Sequence, residues 1–331
     1  MTLQPMQDFF HDRVSIETRT PGRMQARVTF TADLQGPPEA GHGGGVTAML
    51  FEMVRLFLDE RGGASLLPKP VRIDVALHRA VPLETPLTAG VEPRAPGWHS
   101  RILREDRLLA EAVVSPMEEA LSPVPPEMRR RWEGSNGQAD EVPAYEFCLA
   151  CGLYNARGAQ VQFDYNDALV WKRLQPQGHF RCADGSLFPG YLCIVADEIG
   201  WWMGALRQGE CGLSTRVTVC LGRPVPYGVP LLIVGDRLAV TASDTKGRIW
   251  QAPAAIVTPD WELVATARVQ FAGSRAFTKA MLPRFLPGRD PAALQRAFPR
   301  YAAPVEASDR TGERLDSPPS PGTASPGGPH S

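Results

Sequence analysis

The residues of this sequence best suited to chemistry are carboxylates set inside apolar helices. Glu52 lies within VTAMLFEMVRLFL (46–58), and Asp197 with Glu198 lies within YLCIVADEIGWWMGAL (191–206). Burial of an acid is costly and raises its pKa, which fits it to take a proton from water or to attack a carbonyl. A plainer role for Glu52 is an ion pair with Arg55, three residues on. Glu198 is turned about 100° from Asp197 by the helical step, so one of the two is expected to face a given site. Gly41-His42-Gly43-Gly44-Gly45 precedes the first helix. A glycine loop turns tightly there, and the helix start offers unpaired N–H groups and the positive end of its dipole. Gly44 or Gly45 is the expected donor to a developing oxyanion, with Gly43 and His42 orienting the carbonyl. Phe188-Pro189-Gly190 precedes the second helix, where proline has no N–H to offer and Gly190 keeps the glycine position. Trp201 and Trp202 follow Asp197 and either line a pocket for a bulky or aromatic group or pack in the core. Cys148-x-x-Cys151 and His179-x-x-Cys182 carry ligand types that zinc accepts, although the second spacing is not a common knuckle.

The elements that must position these groups occur twice. VRIDVALHRAVPLETPL (71–87) aligns without gaps on TRVTVCLGRPVPYGVPL (215–231), with eight of seventeen positions identical: Arg72/Arg216, Val75/Val219, Leu77/Leu221, Arg79/Arg223, Val81/Val225, Pro82/Pro226, Pro86/Pro230 and Leu87/Leu231. Ahead of each copy stands a buried helix. RMQARVTFT (23–31) alternates with Met24, Ala26, Val28 and Phe30 on one face, a half-buried strand, and AQVQFDY (159–165) alternates likewise. Strands are expected at 71–78, 86–93, 99–104 and 108–115, then at 215–221, 230–242, 248–257 and 263–271. The first helix is expected to end near Arg61-Gly62-Gly63, and residues 1–21 to be irregular or partly helical. Pro, Gly and charge replace periodicity over 116–144, a linker with a short helix at Glu127–Trp132 whose Arg129-Arg130-Arg131 face is solvated. The expected division is a first domain at 1–115, linker 116–144, a second domain at 145–273, a helical extension at 274–305 opened by Asp290-Pro291 as cap and first helical residue, and a disordered tail at 306–331.

Composition sets the outer bounds. A chain of 331 residues with 43 % hydrophobic content can fill two cores. A net charge of −1 gives no electrostatic reason to expect nucleic acid or an anionic membrane as partner. No basic segment followed by an apolar one opens the chain, and the apolar helices are too short and too acidic to span a bilayer. Six cysteines in a chain of this length do not make a disulfide framework, so the expectation is reduced thiols and a cytoplasmic location.

The order strand, glycine loop, buried helix and antiparallel strands resembles the hotdog fold, in tandem: an α+β architecture of two long helices, each wrapped by a curved antiparallel sheet. The motifs resemble the thioesterase branch, in which a His-Gly-Gly triplet precedes the helix and an acid lies nine residues beyond the triplet's start. Glu52 is nine residues beyond Gly43 (ten beyond His42), and Asp197 is nine beyond Phe188. RPVPYGVPL (223–231), more loosely RAVPLETPL (79–87), and EFCLACGLYNARG (146–158) are also similar to stretches of that family. The resemblance implies an acyl-thioester hydrolase that needs no cofactor or metal, acting on acyl-CoA or an acyl-carrier protein. It implies sites between the halves of an internal pseudo-dimer, itself able to dimerise. Pairing across the halves puts the Gly43–Gly45 loop with Asp197, and Phe188-Pro189-Gly190 with Glu52; the first pairing keeps both parts. Gly178-His179-Phe180 with Pro189-Gly190 is similar instead to hotdog dehydratases, but Val195 stands where their acid falls. A non-catalytic acyl-thioester binding protein is the third reading. The His-Gly-Gly-Gly letters also occur in α/β-hydrolases, whose G-x-S-x-G elbow this sequence lacks.

Overall fold

The computed structural model describes residues 3–59, 70–135, 139–286 and 292–301. The first half runs α1 (Met6–His11), β1 (Val14–Thr20), β2 (Arg23–Thr29), α2 (Gly43–Asp59), β3 (Val71–Leu77), β4 (Pro86–Arg94), β5 (Gly97–Arg104) and β6 (Arg107–Pro116). Then come α3 (Pro126–Glu133) and the two-residue strands β7 (Asp140–Glu141) and β8 (Ala144–Tyr145). The second half runs β9 (Asp164–Tyr165), β10 (Leu169–Leu174), α4 (Pro189–Gln208), β11 (Gly212–Leu221), β12 (Leu231–Asp236), β13 (Thr241–Ala242), β14 (Ile249–Val257) and β15 (Leu263–Gly273). Finally come α5 (Arg275–Met281), β16 (Phe285–Leu286) and α6 (Ala293–Ala297). The expected helix end near Arg61-Gly62-Gly63, the Asp290-Pro291 cap and the tail at 306–331 lie outside the described residues. Among the described residues no helix is long and apolar enough to cross a membrane.

One antiparallel sheet joins both halves, in the order β1-β2-β4-β5-β6-β3-β11-β15-β14-β12-β10-β9-β7, with β13 beside β14. The halves meet edge to edge where β3 pairs β11, and Asp74 lies opposite Thr218. The sequence repeat matches those same two positions, so a local two-fold passes between them. Arg216 closes the seam, donating to Asp74 at 2.8 Å while Arg72 donates at 3.1 Å.

Helices α2 and α4 are apolar all round because each has the sheet on one side and its mate on the other. Their backbones approach closely. A Cβ on Gly44 would stand 2.6 Å from both the Cys193 carbonyl and Ile194 Cα, and one on Gly190 would stand 3.0 Å from Ala48 Cβ. Under the two-fold these contacts are mates if Gly44 corresponds to Gly190 and Ala48 to Ile194. On that register Glu52 corresponds to Glu198, whereas counting from the glycines pairs it with Asp197. Gly44→Ala must push the helices apart, and a loss of about 1–3 kcal/mol in urea unfolding is expected.

Met24, Ala26 and Val28 of β2 face the core, as the alternation predicts. The alternating run 159–165 does not become the matching strand. Its Ala159 and Val161 N–H groups donate to Leu149 and Ala150 carbonyls at 2.7 and 2.8 Å, so it lies along a loop and pairs in the sheet only over Asp164–Tyr165. The strand equivalent to β2 is β10, whose alternation is masked because α3 covers its outer side. Met128 and Trp132 of α3 pack there with Leu169, Leu232, Val234 and Val257. Residues 126–133 are therefore part of the packed structure, and Arg131 is ion-paired with Asp236. The lead-in is more ordered than expected, with Val14–Thr20 forming the edge strand β1.

Candidate active site

The loop before α2 is fixed by its own main chain: Gly41 N–H donates to Val81 at 2.8 Å and His42 N–H to Leu34 at 2.9 Å. The helix crossing then brings Asp197, two turns into α4, onto the start of α2. Gly44 N–H donates to Asp197 Oδ2 at 2.7 Å. A side chain on Gly43 is excluded, since its Cβ would fall 2.7 Å from the same oxygen. Gly43, the first residue of α2, has no intrahelical acceptor for its N–H and lines the cavity that Asp197 faces. Gly45 faces Leu149 instead, where a Cβ would meet its side chain at 2.7 Å.

His42 is buried between the two acids. Its Nε2 is 3.0 Å from Glu198 Oε2 and its Nδ1 is 3.6 Å from Asp197 Oδ2. Both acids thus reach one site, contrary to the expectation that the helical step would separate them: the imidazole stands between them and meets one on each side. Nδ1 accepts from Gly44 N–H at 3.0 Å and Gly45 N–H at 3.3 Å. Burial lowers the pKa of this ring, while Cys148, Glu198 and Asp197 raise it, with a net rise well above the ordinary value. The main chain works the other way, because two N–H donors aimed at Nδ1 leave room only for a lone pair. Hydrogen bonding decides the resting tautomer, with the proton on Nε2 facing Glu198.

Burial raises the pKa of Asp197, with His42, Ser214 and the Gly44 N–H pulling back and Glu198 adding to the rise. Its Oδ1 is buried and has no protein hydrogen bond of good geometry among the described residues. Glu198 is held from a second side by Trp202 Nε1–H at 3.0 Å. Cys148 Sγ lies 3.9 Å from Glu198 Oε2 and accepts from Ala150 N–H at 3.3 Å. The C-x-x-C-G…N-x-x-G stretch anchors this loop across the halves, with Leu149 N–H on Gln35 at 2.7 Å and the Asn155 amide on Asp33 at 2.8 Å.

These groups line one apolar cavity of about 200 Å³. Trp201 and Trp202 line it, as do Tyr145, Phe277, Met281 and Phe285. The last three belong to the segment after β15, which returns so that β16 pairs β8. That return is not visible as a local pattern, so these residues escape sequence reasoning.

Glu52 is placed elsewhere. Fully buried, it accepts from Arg55 at 2.8 and 3.1 Å and lies 2.9 Å from His11 Nε2. Gly190 is spent on helix packing and does not line the cavity. His179 and Cys182 flank a separate surface recess, so they are not brought to Cys148 and Cys151 as a four-ligand zinc set. His42 Nε2, Cys148 Sγ and one Glu198 oxygen do lie within 4.8 Å of one another. A metal ion on Nε2 would need the ring proton on Nδ1, donated to an acceptor. Nδ1 faces N–H donors instead, so this donor set does not fit a metal.

No family model matches the sequence, and no curated protein matches it. Solved structures do. The tesB protein of Mycobacterium avium subs. paratuberculosis is 13 % identical with a TM-score of 0.55, covering 81 % of this chain and 99 % of its own. A candidate thioesterase II from Thermobifida fusca YX is 14 % identical with a TM-score of 0.52, over 83 % and 100 %. A trans-AT PKS dehydratase domain from Brevibacillus brevis is 12 % identical with a TM-score of 0.52, over 78 % and 96 %. The likeness is one of fold: this chain has the hotdog fold, in tandem.

Proposed function

We propose that this protein hydrolyses an acyl thioester carried on CoA or on an acyl-carrier protein, in the cavity between its halves, 1–115 and 145–273. The observation that carries this reading is the unpaired Oδ1 of buried Asp197, which faces an apolar cavity beside the N–H of Gly43. A carboxylate there takes a proton from water as the water adds to the acyl carbon. The oxyanion that forms is met by Gly43 N–H and the positive end of α2; as it collapses the C–S bond breaks, and the departing sulfur takes the proton that Asp197 received, leaving carboxylic acid and free thiol. Gly44 and Gly45, the donors expected from sequence, hold Asp197 and His42 in place. An engineered apolar cavity of about 150 Å³ holds benzene, so this aromatic-lined space suits a short or aromatic acyl group.

Dehydration needs an acid and a base both free to meet the substrate. Here both His42 nitrogens are engaged, and of the two acids only Asp197 Oδ1 is left open to the cavity, which favours hydrolysis. The test is free-thiol release from butyryl-, benzoyl- and palmitoyl-CoA, followed beside enoyl absorbance. Thiol release with the benzoyl or butyryl ester is expected, and a change in enoyl absorbance without thiol would replace this reading with dehydration. Trp201→Ala enlarges the cavity, and its preference is expected to move toward the long chain by about 10–100-fold in kcat/KM.

A further inference from the structure

Cys148 and Glu198 are buried in the cavity wall, and hydrolysis by Asp197 uses neither. From this pair we infer a second catalytic group: Cys148 is a nucleophile that takes the acyl group before water does, with Glu198 as its base. This rests on the hydrolase reading above.

The geometry supports each part. Cys148 Sγ lines the cavity and points its thiol at Glu198 Oε2, 3.9 Å away. That oxygen also accepts from His42 Nε2–H at 3.0 Å, and the other carboxylate oxygen accepts from Trp202 at 3.0 Å, so the base is fixed in direction. Ala150 N–H points at the sulfur from 3.3 Å and stabilises charge on it. Burial raises the Cys148 pKa and a hydrogen bond from Cys151 lowers it; Glu198 raises it again, His42 lowers it, and the net direction is downward.

The steps balance. Sγ bonds to the acyl carbon as its proton passes to Glu198 Oε2; the carrier's C–S bond breaks, and the departing sulfur takes that proton. One thioester has replaced another. Water then gives a proton to Asp197 and adds to the acyl carbon. The Sγ–C bond breaks, the sulfur recovers that proton, and the carboxylic acid leaves. Asp197 thereby acts on the acyl-enzyme, and His42 and Trp202 are positioning residues for Glu198.

The experiment is intact-protein mass spectrometry after acid quench, with benzoyl-CoA as probe, on the wild type, Cys148→Ala and Asp197→Asn, each first shown to be folded by circular dichroism. Expected is a benzoyl adduct on Cys148 that accumulates in Asp197→Asn, is absent from Cys148→Ala, and accompanies a fall of at least about 100-fold in turnover of the latter. Because Cys148→Ala changes packing as well, the adduct in Asp197→Asn is the independent readout. Undiminished thiol release by Cys148→Ala, with no adduct in any variant, overturns the relay and leaves the hydrolase reading intact. Absence of thiol release from the folded wild type, with no adduct, overturns both.

Discussion

Asp197→Asn is expected to lower kcat for thiol release by about 10²–10⁴-fold. Asparagine has nearly the same shape, and its carbonyl oxygen can still accept the Gly44 N–H, so the α2–α4 crossing is kept and the base alone is removed. Burial is the largest influence on Asp197 and raises its pKa. The group must be ionised to take a proton, so the wild-type rate should climb with pH through a midpoint above the ordinary value of about 4. The variant should lack that limb. Stability follows the opposite sense. The neutral form is favoured in the folded state, so the wild type loses stability as pH rises from the ordinary carboxylate range through the raised value. Asp197→Asn should therefore melt higher than the wild type above that value, a gain in stability coupled to a loss of activity. Unchanged kcat in the variant would remove Asp197 from the mechanism.

Glu52→Gln should do the reverse. Glu52 is fully buried, and its carboxylate holds Arg55 and His11. Burial lowers the pKa of Arg55 and Glu52 raises it, with a net rise, so the guanidinium stays charged. Removing the carboxylate leaves that charge unpaired in the interior, at a cost of about 3–5 kcal/mol in urea unfolding. Replacing both, as Glu52→Leu with Arg55→Leu, removes the charges together and should restore most of the loss. In either variant the folded fraction should keep its kcat within about threefold, since Glu52 lies outside the cavity. A kcat loss as large as that of Asp197→Asn would place Glu52 in the chemistry after all.

Much of the fold is legible because its periodicities are local. The stretches 71–87 and 215–231, each opening on a strand, share eight identities across a gap-free alignment, and the all-apolar helices mark themselves. β10 escapes because α3 covers its outer side, so alternation no longer separates inside from outside. The run 159–165 misleads because its N–H groups go to a loop. At the site, Asp197 stands out as an acid in an apolar helix. Glu198 does not, because a rule about helical angle says nothing of a histidine inserted between two neighbours. The spacing of Cys148 and Cys151 is plain to read, but where that loop lands depends on Leu149 bonding Gln35 and Asn155 bonding Asp33 across more than a hundred residues.

The seam at Asp74 and Thr218 has an evolutionary consequence. In a dimer of identical subunits every substitution falls twice, so an acid cannot become a structural brace in one site while remaining a reagent in the other. Joining the copies in one chain lifts that tie and also makes their association independent of concentration. The two helices of this chain differ in that way. The first spends its acid on a buried ion pair that holds the core, and the second keeps two acids at the cavity.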